Sequence, residues 1–311
     1  MKKIISVLSC VLAITLVSSC NWFDLDNQAG WDATVEGQIL DAGTNQPIQA
    51  EQGVSTITVV EQGWASQANQ AWYVKNDGSY MNKLVFAGQY VMNTLSSNFV
   101  ADPQNFELKK GSNKVDFKVT PYVRIENVSW GMEGNKIKVT CKVSSPVASV
   151  NNIGEVRLCV AVDRFVSRDN NGCADDPNAV IRDASVDGST SISLLVDPDY
   201  VDAKGVKPNA EEFQYDQVHY VRVAALGAHY AIVPEWDEDM GPDMSQFPWD
   251  ELDWNDFHNY NELVEKTPHI IVHHDAEYTA DGSVNPKNAY NYSPVYKLDM
   301  KAGTFTEVTD W

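Results

Sequence analysis

The chain has 311 residues, 43 acidic against 23 basic, and a formal charge of −20 at pH 7. That excess repels phosphate backbones and argues against nucleic acid as a partner. An apolar share of 43% supplies real cores, thirteen Tyr and nine Trp favour β-structure, and the length suits two domains better than one small sandwich.

Residues 1–19 read as a signal peptide. Lys2 and Lys3 are its positive start and Ile4 to Val17 its apolar stretch, within the usual length of about 7–15 residues and short of the roughly 20 a membrane helix needs. "LVSSC" resembles the lipobox of bacterial lipoproteins, which implies cleavage before Cys20 and acylation of its thiol; the alternative is a plain signal with Cys20 free. Cleavage removes two lysines and no acid, leaving −22. Residues 20–31 carry no helix or strand period and are expected to be a lipidated tether. Asp24 and Asp26 resemble a Bacteroidetes surface-export signal, which favours an outer-membrane lipoprotein facing the cell surface over one facing the periplasm.

Residues 32–120 read as a β-sandwich. "ATVEGQILD", "STITVVEQ", "AWYVK", "SYMNKLVFAGQYVMNTL" and "NKVDFKV" are strand-like, with turns at Asp77-Gly78, Ala87-Gly88 and Gly111-Ser112. Val115, Phe117 and Val119 alternate with polar residues, as a half-buried strand does. Trp64 and Trp72 flank a candidate loop, and cross-strand packing is the favoured role for both.

Residues 121–311 supply a second set: "YVRIENVSW", "NKIKVTCKV", "GEVRLCVAVD", "TSISLLVDP", "VHYVRVAALGAHY" and "YSPVYKLDM". Before the last of these lies an insertion, 231–287, too long for an ordinary hairpin loop and so expected to carry its own folded elements. It holds fourteen acids and two lysines, a charge of −12. In "SQFPWDELDW", Ser245 can cap a helix, Pro248 suits its first turn, and Asp250 and Glu251 favour its positive end. The fold class expected is therefore all-β, two β-sandwiches in tandem with a long, partly helical insertion before the last strand.

Two accounts of the insertion compete. Its rings pack onto the sandwich while its acids face water, or they bind sugar. Pyranose C–H faces stack on indole and hydroxyls bond to carboxylates and amides, which makes Trp236, Trp249 and Trp254 candidate platforms and Asp250, Asp253 and Asn255 candidate hydrogen-bonders. In "PHIIVHH" the β-branched run favours a strand, on which His269 and His273 lie roughly 13 Å apart, too far for one ion. "DNNGCADD" weakly resembles a calcium loop through Asp169, Asn171 and Asp175, but lacks the closing glutamate of an EF-hand, and a polar turn is the favoured reading. No other metal or cofactor is expected.

Three cysteines, Cys141, Cys159 and Cys173, remain after Cys10 leaves and Cys20 anchors. Strand parity points Cys141 into a core and Cys159 away from one, so no bridge between them is expected. No G-x-S-x-G, HExxH, P-loop or dinucleotide fingerprint is present. Acid pairs abound, so a glycoside hydrolase stays as an outside alternative; the expectation is no enzyme.

"VEGQILDAGTNQPIQA" followed by "NDGSYMNKLVFAGQYVM" resembles the carboxypeptidase-regulatory-like module, a transthyretin-type sandwich. The tyrosine with "VRVAA" and then "NYSPVYKLDM" resembles the closing strands of a fibronectin-III or immunoglobulin-like sandwich. Together behind a lipobox they resemble a two-domain outer-membrane lipoprotein family of unknown function from Bacteroidetes, often encoded beside SusC/SusD-like glycan-import proteins. The resemblance implies an accessory glycan-binding or spacer component of polysaccharide uptake. Its partners would be an oligosaccharide, the importer and the SusD-like lipoprotein. The alternative is a structural lipoprotein whose acidic insertion docks another protein.

Overall fold

A computed structural model describes residues 30–93, 98–148, 150, 152–215, 217–228, 233–236, 270–273 and 290–311. Nine strands build the first sandwich: β1 (Ala33–Asp41), β2 (Thr56–Glu61), β3 (Asn69–Tyr73), β4 (Ser79–Val85), β5 (Gly88–Asn93), β6 (Phe99–Val100), β7 (Gln104–Leu108), β8 (Gly111–Lys114) and β9 (Phe117–Pro121). One sheet runs β4-β1-β9-β6 with β8 also on β1, and the facing sheet runs β3-β2-β5-β7. Alternation drives the pairing. In β1, Ala33, Val35 and Ile39 turn inward between half-buried or exposed neighbours, and Phe117 and Val119 of β9 do the same. Trp72 packs against Tyr80, Tyr90 and Phe106 in that core, as its packing role requires, whereas Trp64 stays 47% exposed.

Two glycines explain the "VEGQ" and "DGSY" signatures. A Cβ on Gly37 would lie 1.6 Å from the Val115 carbonyl oxygen, the atom that accepts a 2.7 Å hydrogen bond from the Tyr80 hydroxyl. Gly78 has φ +78°, and a Cβ there would meet the Ile48 carbonyl at 2.4 Å. Both positions bring backbone against backbone, which only glycine permits.

The rest of the chain carries β10 (Arg124–Glu133), β11 (Lys136–Ser144), β12 (Asn152–Ala161), β13 (Val180–Ala184), β14 (Asp187–Val196) and β15 (His219–Ala228), then β16 (Val233–Trp236) and β17 (Ile270–His273), which form a sheet of their own. It closes with β18 (Tyr290–Tyr292), β19 (Tyr296–Asp299) and β20 (Thr304–Glu307). A three-stranded sheet, β10-β11-β14, faces a sheet of order β13-β12-β15-β19-β20 in which β18 also pairs with β15. Ile137, Val139, Cys141 and Val143 of β11 point into the core between half-buried neighbours.

The two sandwiches have separate hydrophobic clusters, yet the passage between them is not an open linker. Chain leaves β9 at Pro121 and enters β10 at Arg124, and the intervening Tyr122 and Val123 are already buried in the second core. Of the insertion, the described part is an antiparallel pair in which Val233 opposes His273 and Trp236 opposes Ile270. The strand reading of "IIVH" therefore holds. The helix start expected at Ser245 falls outside the described residues, as do Cys20 and the signal peptide.

Parity misled at Cys159. The residue is fully buried, because β12 is covered on both faces. Its second face, carrying Glu155, Arg157 and Cys159, lies under the segment before β13 and under β18: Arg157 donates to the Ala174 carbonyl at 2.6 Å, and Tyr290 reaches Glu155. All three described cysteines are free.

Candidate functional site at the junction of the sandwiches

The junction is made of buried polar groups. Gln49 forms an isolated antiparallel bridge with Tyr292, so the segment between β1 and β2 runs alongside β18. Beside it, Arg222 of β15 is completely buried. Its guanidinium lies 4.2 Å from the Tyr292 ring centre and donates to the carbonyls of Ala50 (3.0 Å), Val166 (3.3 Å) and Ser293 (3.0 and 3.2 Å). Burial pushes Arg222 down to about 10 against the attraction of Tyr292, Cys159 and Glu51, so it keeps its charge at neutral pH. Glu51, 8% exposed, accepts from the Ser167 hydroxyl at 2.8 Å and from the Tyr292 hydroxyl. Burial, then the neighbouring Glu51 carboxylate, drives the Tyr292 phenol well above its ordinary value, so it remains a donor. Asn98 and Asn291 close the seam: Asn98 donates to the Gln49 and Tyr290 carbonyls, and Asn291 accepts from Val123 and donates to the Asn98 carbonyl.

Beside this seam a cleft of about 590 Å³ opens between the sandwiches. Its first wall comes from the end of β1 and the turn after it, with Gln38, Asp41, Thr44 and Gln46, and from Asp77 of the "DGSY" turn. Its second wall comes from β10 through Arg124 and Glu126, from Tyr292, and from Glu307 and Trp311 near the end of the chain. The volume falls in the ligand-pocket range of about 300–1,000 Å³, and the position between two domains is one that such pockets favour.

One ion pair spans the cleft. Arg124 donates through Nε (2.7 Å) and Nη2 (2.8 Å) to the two carboxylate oxygens of Asp41, which also accepts from the Gly43 amide and the Thr44 hydroxyl. Burial opposes the charge on Asp41, but Arg124 and these donors outweigh it and hold the carboxyl below the usual range. Trp311 is held on one side by Arg164, whose guanidinium carbon is 4.4 Å from the ring centre, and its Nε1 donates to the Val308 carbonyl. The indole can therefore offer the cleft carbon surface and no hydrogen bond.

The sugar-binding residues expected from sequence lie elsewhere. Trp249, Trp254, Asp250, Asp253 and Asn255 are outside the described residues; Trp236 ends β16, and its side chain is likewise outside them. Two of the three calcium candidates have protein partners. Asp169 pairs with Arg168 at 2.6 Å, and the Asn171 side-chain oxygen accepts the Val160 and Cys173 amides. Among the described residues no three His, Cys, Asp or Glu side chains gather as a metal site. The polar-turn reading fits these bonds. Sequence reasoning missed the cleft because its residues come from five separate stretches, none with a ligand-binding motif of its own.

Comparison with known proteins adds to this geometry. Residues 33–120 match a family model described as the N-terminal domain of a protein of unknown function, DUF3823. No curated protein matches the chain. A crystal structure from Bacteroides uniformis, described as a "putative carbohydrate binding protein", is 26% identical with a TM-score of 0.54, over 64% of this chain and 91% of that one. A DUF3823 family protein from Parabacteroides merdae shares the fold at 20% identity and a TM-score of 0.52, over 63% and 92% of the two chains.

Proposed function

We propose that the protein is a non-enzymatic lipoprotein that binds an oligosaccharide in the cleft between its two sandwiches. Acylated Cys20 would hold it at the outer membrane, facing outward, where it would present glycan to an importer and a SusD-like partner. The observation that carries the reading is the cleft itself: amides, hydroxyls and carboxylates converge on one volume with Trp311 in its wall. Those groups match sugar hydroxyls and C–H faces, and the likeness to the Bacteroides uniformis protein supports the same ligand class. The buried polar seam beside the cleft fixes its two walls relative to each other, which lowers the cost of ordering a site on binding.

The test is calorimetric titration of the mature protein with neutral oligosaccharides, repeated with Trp311→Ala and Gln46→Ala. Each change is expected to weaken binding at least ten-fold. Binding that survives both and is lost in Trp249→Ala or Trp254→Ala would move the site to the insertion. Absence of binding by every saccharide would leave the structural, protein-docking role. Radiolabelled palmitate incorporation, expected to vanish in Cys20→Ala, tests the anchor.

A further inference from the structure

We infer that the cleft selects by charge, accepting neutral oligosaccharides and rejecting those that carry carboxylate or sulfate groups. The inference rests on the saccharide reading of the cleft and concerns the class of glycan it takes.

Four carboxylates line the cleft, Asp41, Asp77, Glu126 and Glu307, against one cation, Arg124. Arg124 is the group an anionic sugar would need, and it is already committed: two of its donors face the two oxygens of Asp41 in a fork that a carboxylate or sulfate ligand would have to displace. The other three acids have no ion-pair partner within 4 Å among the described residues. Asp77 accepts from the Ser79 amide and hydroxyl, and Glu307 accepts from the Tyr296 hydroxyl at 3.4 Å. Lys142 stands opposite Glu126 across the β10–β11 pair but does not line the cleft. Arg164, behind Trp311, donates to the Asp310 carbonyl.

A ligand in this volume therefore meets three carboxylates without an ion pair of their own, of which Glu126 shares the longer-range attraction of Arg124. Hydroxyl groups satisfy them by donating hydrogen bonds. A uronate or sulfate presents charge of the same sign at short range, and no second cation lines the cleft to offset it. The preference needs no change in shape, because neutral and acidic forms of one sugar share their ring geometry.

Matched pairs of ligands test this. Cello-, malto- and manno-oligosaccharides are titrated in neutral form and after oxidation of their primary hydroxyls to carboxylates, at low and high salt. For the sugar that binds, the carboxylated form is expected to be at least ten-fold weaker at low salt. The gap is expected to narrow in 1 M salt, where the Debye length falls to about 3 Å, and in Glu126→Gln and Glu307→Gln. Equal or tighter binding of the carboxylated form overturns charge selection and leaves the saccharide site standing. A gap that ignores both salt and the glutamine substitutions also overturns it, since the rejection would then be steric. No binding by any saccharide removes the underlying reading and this inference with it.

Discussion

Replacing Tyr292 by phenylalanine removes one hydroxyl from the seam and nothing else. The ring on which Arg222 rests at 4.2 Å is kept. What is lost is the donor to Glu51, a carboxylate in a residue only 8% exposed that retains the Ser167 hydroxyl as its other side-chain donor. A hydrogen bond to a charged group contributes about 1.5–3 kcal/mol, so Tyr292→Phe should lower unfolding free energy by about 2 kcal/mol. With roughly 2–4 °C per kcal/mol for a unit of this size, the melting temperature should fall by about 4–8 °C. The partner matters as much as the donor. Charge-assisted bonds are about twice as strong as neutral ones, so in a Glu51→Gln background the same substitution should cost about 1 kcal/mol. A double-mutant cycle followed by chemical denaturation measures the difference. A loss below about 0.5 kcal/mol in the wild-type background, or equal losses in both, would refute the view that a buried carboxylate at this seam depends on Tyr292.

Asp41→Asn should also destabilise by about 2 kcal/mol at neutral pH, because it breaks the charge-assisted fork with Arg124. The folded-state carboxyl titrates below the ordinary aspartate value of 3.8, so its contribution is complete above that value and fades as pH falls through the lowered one. Denaturation curves of wild type and variant should therefore converge in acid; a gap unchanged well below pH 3.8 would contradict the pairing. The described cysteines should resist alkylation at pH 8 in the native protein and react on unfolding, since the thiolate is the reactive form. Burial pushes Cys141 up to about 11, Cys159 up to about 12 and Cys173 higher still. Mass-spectrometric mapping of iodoacetamide adducts checks this, and rapid labelling of folded protein at Cys159 would show that its face of β12 is open.

Much of the fold was legible because strand burial is a local, period-two property. Ile137, Val139, Cys141 and Val143 turned inward as their alternation required, and the turn read at Asp77-Gly78 is present, with Gly78 at φ +78°. Strands β6, β7, β13, β16, β18 and β20 were not legible because they are short and gain their place from neighbours already present.

The sequence by itself determined which faces of the long strands are apolar, and with that an all-β architecture of two sandwiches. Tertiary structure alone decided what covers the remaining faces. Alternation marks Cys159 as opposite to a core residue, but the cover supplied by the segment before β13 and by β18 turns that position into interior. Arg222 reads as an ordinary outward cation until Ala50, 172 residues away, supplies a carbonyl to it. Glu51 meets Tyr292 across 241 residues, and the cleft beside them gathers side chains from both ends of the described chain. Burial is a property of two surfaces in contact, and a linear pattern carries information about only one of them.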